Sequence, residues 1–458
     1  MRKIKTSIAF VAAAATLALS SCAGMPGASS SFDASSAQGA FDWQRYKGST
    51  ISVMLSEHPW SKGIAEKLPE FEQKTGIKVE LQTYTEDLYF DKMEQAVRSN
   101  AAPDVYMLPM DDTVVSQHSA GLIEPLTPML NNPSMTSPDY DFADFPRGLM
   151  DASAFVNDKG EKQDLQIPIV PEAYILFYNK KLVAAHAGGQ VPTTMADLLD
   201  SARAITAAGK GEYFGSVMRG ARTDTLRDTL TGVVLNEVPL DRKIQMPYNI
   251  WFDGAWDKPV LNDPYIVKGL SDYAELVKQG PANRLNIDWQ DATSLFAQGK
   301  VAYYIDASTF GPMFEDASQS KIAGEVGYAV IPKGAVQGST AAWSWGLNIA
   351  KNADNKGAGW TFMQWATSKS MTAHLGSLTG TSARLSSATD PAYTQSLKPQ
   401  FVSTVKDALA SSRTSTVQRD GWKAGAFVIV DAMIKIASGG DATDVLTKAN
   451  DEMKTALK

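Results

Sequence analysis

Glu172 lies where the sequence places a carboxylate between two short apolar segments. Residues 167–170 and 173–178 both have the composition of buried strands, and Pro168 and Pro171 interrupt them. Because proline has no N–H to donate within a central strand pair, the pattern predicts that one strand leaves a sheet and the next joins another. We interpret the stretch as a crossover between two lobes. Glu172 could then accept hydrogen bonds from a ligand held between the lobes.

Other polar and aromatic residues follow predicted strands or occupy nearby loops, where ligands of parallel sheets bind. Each has a structural alternative. An aspartate after a strand can cap a helix, an arginine can form a salt bridge between lobes, and tryptophans in phase with Leu347 and Ile349 can pack in a core. The polar candidates are Asp111, Asp112, Asp306 and Arg384. The aromatic candidates are Trp60, Tyr84, Trp251, Trp256, Trp343 and Trp345.

Enzymatic signatures are absent from the sequence. The four histidines have no metal-ligand spacing, and there is no G-x-S-x-G segment or phosphate-binding glycine loop. We therefore predict neither catalytic residues, nor a metal, nor a cofactor. A glycoside hydrolase needs only two carboxylates about 5–10 Å apart, so a secreted hydrolase stays an alternative. A binding protein that signals, or one for another polar solute, is a further alternative.

The composition is that of an ordinary globular protein long enough for more than one core. The chain has 458 residues, of which 44% are hydrophobic and 20% charged. Without the first 21 residues, 40 Lys and Arg oppose 50 Asp and Glu, a formal net charge of −10. Such an acidic protein is poorly suited to bind nucleic acid or an anionic membrane surface.

The N-terminus is typical of a secreted bacterial lipoprotein. Three basic residues precede an uncharged stretch that is too short to span a bilayer. We predict a signal peptide over residues 1–21, followed by the only cysteine, Cys22, in a segment that resembles a lipobox. Residues 22–45, rich in Gly, Ser and Ala, would form a flexible tether. A signal peptide with an incidental cysteine is the alternative.

The elements that would position the candidate residues follow an α/β pattern. Residues 51–55, 78–82 and 103–108 have strand patterns, and helical patterns separate them. This spacing is typical of parallel βαβ units. A strand over 325–331 ending in Pro332, and the stretch 378–384, predict a second and a third crossover.

Seven stretches resemble the extracellular solute-binding proteins of carbohydrate ABC importers, the group that includes maltose-binding protein. They occur in the family's order over nearly the whole chain after the tether. They are FEQKTGIKVE, PDVYMLP, IPIVPEAYILFYNKKL, VPTTMADLL, LFAQGKVAYYID, GYAVIPKG and AAWSWGLNIAKNADNKGAGWTFMQWATS. The resemblance implies an α/β, two-lobed periplasmic-binding-protein fold of type II-like topology with three interlobe crossovers. The expected lobes are residues 46–169 plus 333–378, and 172–330 plus 382–458.

The resemblance also implies roles for individual residues. Glu172 matches a crossover carboxylate that binds sugar hydroxyls in maltose-binding protein. The loop from Asp306 to Phe310 matches one that carries a stacking aromatic. Trp343 and Trp345 fall where relatives present an aromatic to the ligand, and Arg384 falls where relatives have an arginine after a proline-containing turn, although the proline is missing here.

The function implied by the resemblance is capture of a sugar by hinge closure and its delivery to ABC permease subunits. The many aromatic residues favour an oligosaccharide, because sugar rings stack on flat aromatic surfaces. The protein would be a monomer, lipid-anchored on the outer face of the bacterial cytoplasmic membrane, and would carry out no reaction on its ligand.

Overall fold

The computed structural model describes residues 33–99, 101–145, 150, 154–156, 161–239, 248–335, 340–414, 417, 419 and 421–457. The predicted signal peptide and Cys22 lie outside these residues. The described helices include none that is both long and apolar enough to cross a bilayer.

Strands and helices alternate over residues 50–130, as the sequence pattern predicts. The strands are β1 (Thr50–Ser56), β2 (Lys78–Tyr84), β3 (Val105–Pro109), β4 (Ile123–Glu124), β5 (Ala154–Val156), β6 (Lys162–Asp164), β7 (Ile167–Asn179), β8 (Phe214–Val217), β9 (Val301–Ala307), β10 (Val326–Ala329), β11 (Ala341–Ala350) and β12 (Arg413–Thr414).

The helices cover both faces of the strands. They are α1 (Pro59–Thr75), α2 (Glu86–Val97), α3 (Asp112–Ser119), α4 (Thr127–Leu130), α5 (Lys180–His186), α6 (Met195–Gly209), α7 (Leu226–Leu235), α8 (Pro264–Lys278), α9 (Trp289–Ala297), α10 (Gly311–Phe314), α11 (Lys356–Ala366), α12 (Lys369–Thr379), α13 (Pro391–Thr394), α14 (Pro399–Ser411), α15 (Trp422–Ala437) and α16 (Ala442–Ala456).

The main sheet runs in the order β2-β1-β3-β11-β7-β9-β8. β1 pairs in parallel with β2 and β3, and β11 pairs antiparallel with β3, which forms the sheet of the first lobe. β9 pairs in parallel with β8 and antiparallel with β7, and β10 pairs with the end of β7, which forms the sheet of the second lobe. Both lobes are therefore joined through the neighbouring strands β7 and β11.

The crossover at Glu172 differs in form from the prediction. We predicted two strands separated by prolines, but β7 is one continuous, buried strand of 13 residues. Its first part pairs with β11, as far as Ala173, and its second part pairs with β9 from Tyr174 onward. The chain thus passes between the lobes without leaving the extended conformation, because the strand changes its partners and not its direction.

The third predicted crossover is attached directly to the first. Helix α12 ends at Gly380, whose φ of 80° is in the left-handed region that glycine adopts at low cost. The hydroxyl of Thr381 then donates a hydrogen bond to the carbonyl oxygen of Pro171. Because β11 pairs with β7 next to this contact, β7, β11 and the Thr381 segment lie side by side between the lobes.

Each lobe has its own aromatic core. In the first lobe, Phe71 of α1 lies 5.1 Å from Trp365 and 5.5 Å from Phe362, between ring centroids. In the second lobe, Phe177 of β7 contacts the rings of Phe296, Tyr304, Phe314 and Tyr328. The second core also includes buried residues of α14 and α15, so the C-terminal helices pack against the second lobe.

Candidate ligand-binding site

Glu172 is buried at the centre of the hinge. It is 3% exposed and lies directly opposite Trp343 on β11, so both side chains extend from the same face of the sheet. Its Oε1 atom has no hydrogen-bond partner. Burial, together with the charge of Glu86, raises the pKa of the Glu172 carboxyl to about 8. A carboxyl group in this position is ready to hydrogen-bond a polar molecule.

A buried ion pair in the second lobe lies near Glu172. Strand β9 carries Asp306, and the residue that follows the β8 region, Arg219, donates two hydrogen bonds to its carboxylate at 2.5 and 2.9 Å. The Tyr304 hydroxyl donates a third, at 2.7 Å. Arg219 also donates to the carbonyl of Thr225. This bidentate geometry fixes a charge pair at the end of the sheet, where ligands of α/β folds bind.

A second ion pair connects the two lobes. Arg227, on α7 of the second lobe, donates to Asp111 of the first lobe at 2.8 Å. Asp111 also caps α3, since its carboxylate accepts from the N–H of Thr113. Burial raises the pKa of Asp111. Burial likewise raises the pKa of Asp228, the residue after Arg227, to about 8, so this carboxyl, like that of Glu172, favours its neutral form near pH 7.

Aromatic rings continue across the interface between the lobes. His58, from the loop after β1, stacks on Trp60 at 5.3 Å and on Trp289 of the second lobe at 5.6 Å. Trp289 in turn stacks on Phe310 at 5.2 Å. The interplanar angles are 10°, 13° and 15°, so the four rings form a nearly parallel series, which we call the aromatic ladder. Trp345 lies against its first-lobe end.

Several buried polar atoms around Glu172 lack hydrogen-bond partners. Burial and the charge of Arg219 lower the pKa of His58 to about 3, so its ring is neutral and offers one donor and one acceptor. Buried polar groups in proteins are nearly always paired, so such a concentration indicates a place for a polar ligand. The unpartnered atoms are Ser56 Oγ, His58 Nδ1 and Nε2, Trp60 Nε1, Glu172 Oε1, Thr309 Oγ1 and Trp345 Nε1.

A cavity of about 370 Å³ opens between the lobes, next to Trp343, the residue opposite Glu172. The residues that carry the unpartnered polar atoms around Glu172 are not among those that line it. Its size falls at the lower end of the range for small-molecule sites, about 300–1,000 Å³. We call it the front pocket. Its lining includes Phe90, Asp224, Arg227, Asp228, Trp343 and Trp422. Among the described residues, no group of three or more His, Cys, Asp or Glu side chains is arranged to hold a metal ion.

Six predicted candidates lie at or next to this interface: Trp60, Asp111, Glu172, Asp306, Trp343 and Trp345. Asp306 reaches it only through Arg219, since its oxygens accept hydrogen bonds from Arg219, the Tyr304 hydroxyl and the backbone N–H of Ala307. Asp112 begins α3, but its side chain lies outside the described residues. The loop aromatic of the second lobe is Phe310, which ends the aromatic ladder.

Four candidates lie elsewhere. Tyr84 is at the end of β2 and hydrogen-bonds Gln82. Trp251 is buried in the second-lobe core, and Trp256 packs against that core beside Phe252. Arg384 is fully buried, and its guanidinium donates to the carbonyls of Thr367 and Asp141 in the first lobe.

Sequence reasoning missed His58, Phe90, Arg219, Arg227, Asp228 and Trp289. Arg219 and His58 each follow a strand end, so the rule that located Asp111 could have found them. Trp289 and Arg227 begin helices of the second lobe, and no local pattern distinguishes them from surface residues. They reach the site only because the lobes face each other.

Residues 56–373 match the family of bacterial extracellular solute-binding proteins. The chain belongs to this family.

Relatives of known description are similar over different parts of the chain. The erythritol/L-threitol-binding protein of Mycolicibacterium smegmatis is 27% identical over 370 residues, which cover 78% of this chain and 75% of that protein. The mannitol-binding protein of Pseudomonas aeruginosa is 30% identical over 207 residues, 44% of this chain and 45% of that protein. The chain thus aligns with less than half of the second relative.

A solved structure shows the same fold. The ABC transporter solute-binding protein of Thermotoga lettingae, determined with bound alpha-D-tagatose, superposes with a TM-score of 0.76 at 20% identity, covering 90% of this chain and 100% of that one. The two-lobed periplasmic-binding-protein fold predicted from the sequence is therefore confirmed.

Proposed function

We propose that this protein is the receptor of an ABC importer and that it binds a small polyol or sugar between its lobes. The observation that carries the proposal is the cluster of buried, unpartnered polar atoms around Glu172, in a chain of the solute-binding family. Hydroxyl groups both donate and accept hydrogen bonds, so a polyhydroxylated ligand can satisfy the carboxyl, the imidazole and the two indole N–H groups together.

The structure favours a small polyol over the oligosaccharide that the aromatic content suggested. Most rings of the site stack on one another: Trp60, His58, Trp289 and Phe310 in the ladder, and Phe90 on Trp345 at 5.9 Å. Few ring faces are left for sugar rings, whereas carboxyl and guanidinium groups are plentiful. The two relatives described above are named as binding proteins for erythritol or L-threitol and for mannitol. Their names support a polyol as the ligand of this protein.

Binding and closure of the lobes are coupled in this proposal. We place the lobes at residues 46–169 with 333–378 and at 172–330 with 382–458, and the hinge at β7, β11 and the Thr381 segment. Arg384, just after this segment, is bonded to first-lobe carbonyls. A ligand that contacts both lobes has a higher affinity for the closed form and shifts the population toward it. The permease would then recognise the closed form, and ATP would be hydrolysed by a separate subunit.

We further propose that the chain is held at the outer face of the cytoplasmic membrane by a lipid on Cys22. The basic start, the apolar stretch and the position of the only cysteine support this. We expect that Cys22→Ser moves the protein from the membrane fraction to the soluble fraction of the producing bacterium, because serine lacks the thiol that would carry the lipid. An equal membrane share for the variant and the wild type would contradict the lipid anchor.

Calorimetric titration tests the ligand and the site together. We expect the wild-type protein to bind at least one of erythritol, L-threitol, ribitol and mannitol. Glu172→Ala should weaken that binding by about 1–3 kcal/mol, because it leaves ligand hydroxyls unpaired in a buried site. This corresponds to a Kd about 5- to 150-fold higher.

Two comparisons make the titration decisive. Glu172→Gln keeps the side-chain shape and an acceptor oxygen, so its Kd should lie between those of the wild type and Glu172→Ala. Glu66→Gln changes an exposed carboxylate on α1 and should bind as the wild type does. If Glu172→Ala binds the polyol unchanged, Glu172 is not in the site; if only maltose or longer oligosaccharides bind, the polyol assignment is wrong.

A further inference from the structure

The front pocket lies where both lobes and the hinge strands meet. Its first-lobe wall is formed by α2 and α3, which contribute Phe90 and Ser116. Its second-lobe wall is formed by the start of α7, with Asp228, and the start of α15, with Trp422. Trp343 of the hinge strand β11 also lines it. A molecule in this cavity would therefore contact both lobes at once, as the proposed closure requires.

Asp228 is a buried carboxyl on the wall of this cavity. It is 6% exposed, and among the described contacts its side-chain oxygens accept no hydrogen bond. The Nε atom of Arg227 lies 3.5 Å from its Oδ1, beyond the usual hydrogen-bond distance. Asp111, in contrast, accepts from Arg227 and from the N–H of Thr113, each at 2.8 Å. Because buried polar groups in proteins are nearly always hydrogen-bonded, the Asp228 carboxyl is available to a molecule in the front pocket.

The packing of α7 brings Asp228 to the part of β7 that contains Glu172. Residues four apart lie on the same face of a helix, so Asp228 and Gly232 share a face of α7. A Cβ at Gly232 would be 3.2 Å from the side chain of Tyr174, so this face of α7 lies directly against β7. Glu172 and Tyr174 are two residues apart and extend from the same face of that strand. Helix α7 also packs on β11, the strand that carries Trp343.

Electrostatic effects show that the two carboxyls are close to each other. Burial is the main cause of the raised pKa of the Glu172 carboxyl, and the charge of Asp228 adds to it. For the Tyr174 hydroxyl, burial raises the pKa and the charge of Asp228 is the next cause. Because the interaction of two charges weakens with distance, Asp228 lies near both residues. Trp343, directly opposite Glu172 on β11, lines the same cavity as Asp228.

We propose that Asp228 is a second ligand-binding carboxyl, and that Glu172 and Asp228 bind different hydroxyl groups of one polyol that extends into the front pocket. The assignment of Asp228 rests on the proposed function. A protonated carboxyl group both donates and accepts hydrogen bonds, and so does a hydroxyl group. A ligand with hydroxyl groups at its ends only would leave one buried carboxyl unpaired, which costs affinity. The pair would therefore select solutes that carry hydroxyl groups along the whole chain.

Calorimetric titration of Asp228 variants with erythritol, L-threitol, ribitol and mannitol tests this role. For each polyol that binds the wild type, Asp228→Ala should raise the Kd about ten-fold, because ligand hydroxyls lose a buried partner. Asp228→Asn should stay within about three-fold of the wild type, since an amide also donates and accepts hydrogen bonds. Asp407→Ala, at an exposed position of α14, should bind as the wild type does.

The asparagine variant separates ligand binding from a structural role. If Asp228 acted only through its charge on Arg227, both variants would lose that charge and would weaken binding alike. Equal losses in Asp228→Asn and Asp228→Ala, or no loss in Asp228→Ala, therefore overturn the proposal.

Ser116→Trp tests from the first lobe whether the ligand enters the front pocket. Ser116 is half-buried on α3 and lines the cavity, so a tryptophan there would fill the space without touching Asp228 chemically. We expect this variant to lose polyol binding. Binding equal to that of the wild type would show that the ligand lies outside the front pocket.

A ligand analogue tests the selection of hydroxyl groups. 1,6-Hexanediol has the carbon chain of mannitol with hydroxyl groups at its two ends only. It should bind the wild type at least about ten-fold more weakly than mannitol does, and equal binding would overturn the selectivity.

Failure of the Asp228 assignment can be distinguished from failure of the proposed function. If Glu172→Ala weakens polyol binding and Asp228→Ala does not, the polyol site stands and Asp228 is not part of it. If none of the four polyols binds the wild type, both are wrong.

Discussion

The same residue types have different roles in the site according to their partners. Asp306 has Arg219 and Tyr304 as partners and is fixed in place. Glu172 is equally buried, but its Oε1 has no partner. Burying a charge without compensation costs far more than burying a neutral group. The pKa of the Glu172 carboxyl is therefore raised to about 8, and the group is mostly protonated below that pH. We infer that Asp306 positions Arg219 while Glu172 meets the ligand.

This difference predicts how the stability of the ligand-free protein depends on pH. The folded pKa values of Glu172 and Asp228 are both about 8, against ordinary values of 4.5 and 3.8. At a pH between the ordinary pKa and the folded pKa of each group, the unfolded chain has released a proton that the folded protein retains. The contribution of both groups to the free energy of unfolding is therefore complete below about pH 4 and is lost as the pH rises to about 8. Thermal unfolding at pH 5–8 should show Tm falling with pH.

The double variant Glu172→Gln/Asp228→Asn removes both titrating groups. Its Tm should change less over the same pH range than the Tm of the wild type. Glu66→Gln, at an exposed position, should follow the wild-type profile. An unchanged slope in the double variant would show that these carboxyl groups do not retain their protons.

At the scale of elements, local signals set the helix ends and long-range packing sets their positions. Thr194 caps α6 as predicted, since its hydroxyl accepts from the N–H of Asp197 at 3.1 Å. The face of α6 that is buried includes Leu198, Ala202 and Ile205, as its periodicity indicates. The distance between α6 and β8, in contrast, depends on one glycine, Gly215.

Gly215→Ala should destabilise the second lobe. A Cβ at this position would lie 1.9 Å from the backbone oxygen of Ala202, so the helix or the strand must move. We expect a loss of about 1–3 kcal/mol in the free energy of unfolding, the usual range for overpacking, measured by urea denaturation. Ala204→Ser on the exposed side of α6 should cost less than about 0.7 kcal/mol. Equal costs for the two variants would contradict the close packing.

At the scale of the whole molecule, we expect contacts between the lobes to contribute to the affinity for the ligand. The Asp111–Arg227 ion pair at 2.8 Å and the His58–Trp289 stack both join first-lobe and second-lobe residues. Such contacts form only when the lobes approach. They contribute to binding by lowering the free energy of the closed form, whether or not they touch the ligand.

Arg227→Gln should weaken closure without disturbing the cap of α3, because Asp111 keeps its bond to Thr113. We expect the radius of gyration from X-ray scattering to decrease when the wild type binds its polyol. The variant should reach the same compact state only at about ten-fold higher polyol concentration. If the polyol leaves the radius of gyration of the wild type unchanged, hinge closure is not the binding mechanism.

The sequence by itself determined the α/β class, the cap of α6 by Thr194, the βαβ pattern of the first lobe and the strand that contains Glu172. These depend on local periodicity, on proline and glycine chemistry, and on strand ends, all of which are visible in short windows. Only the tertiary structure decided that β7 is one strand, that Trp251 is in the core, and that His58 stacks on Trp289 across the lobes. Residues 231 positions apart in the chain meet there because two separately packed lobes face each other, and no local pattern encodes that approach.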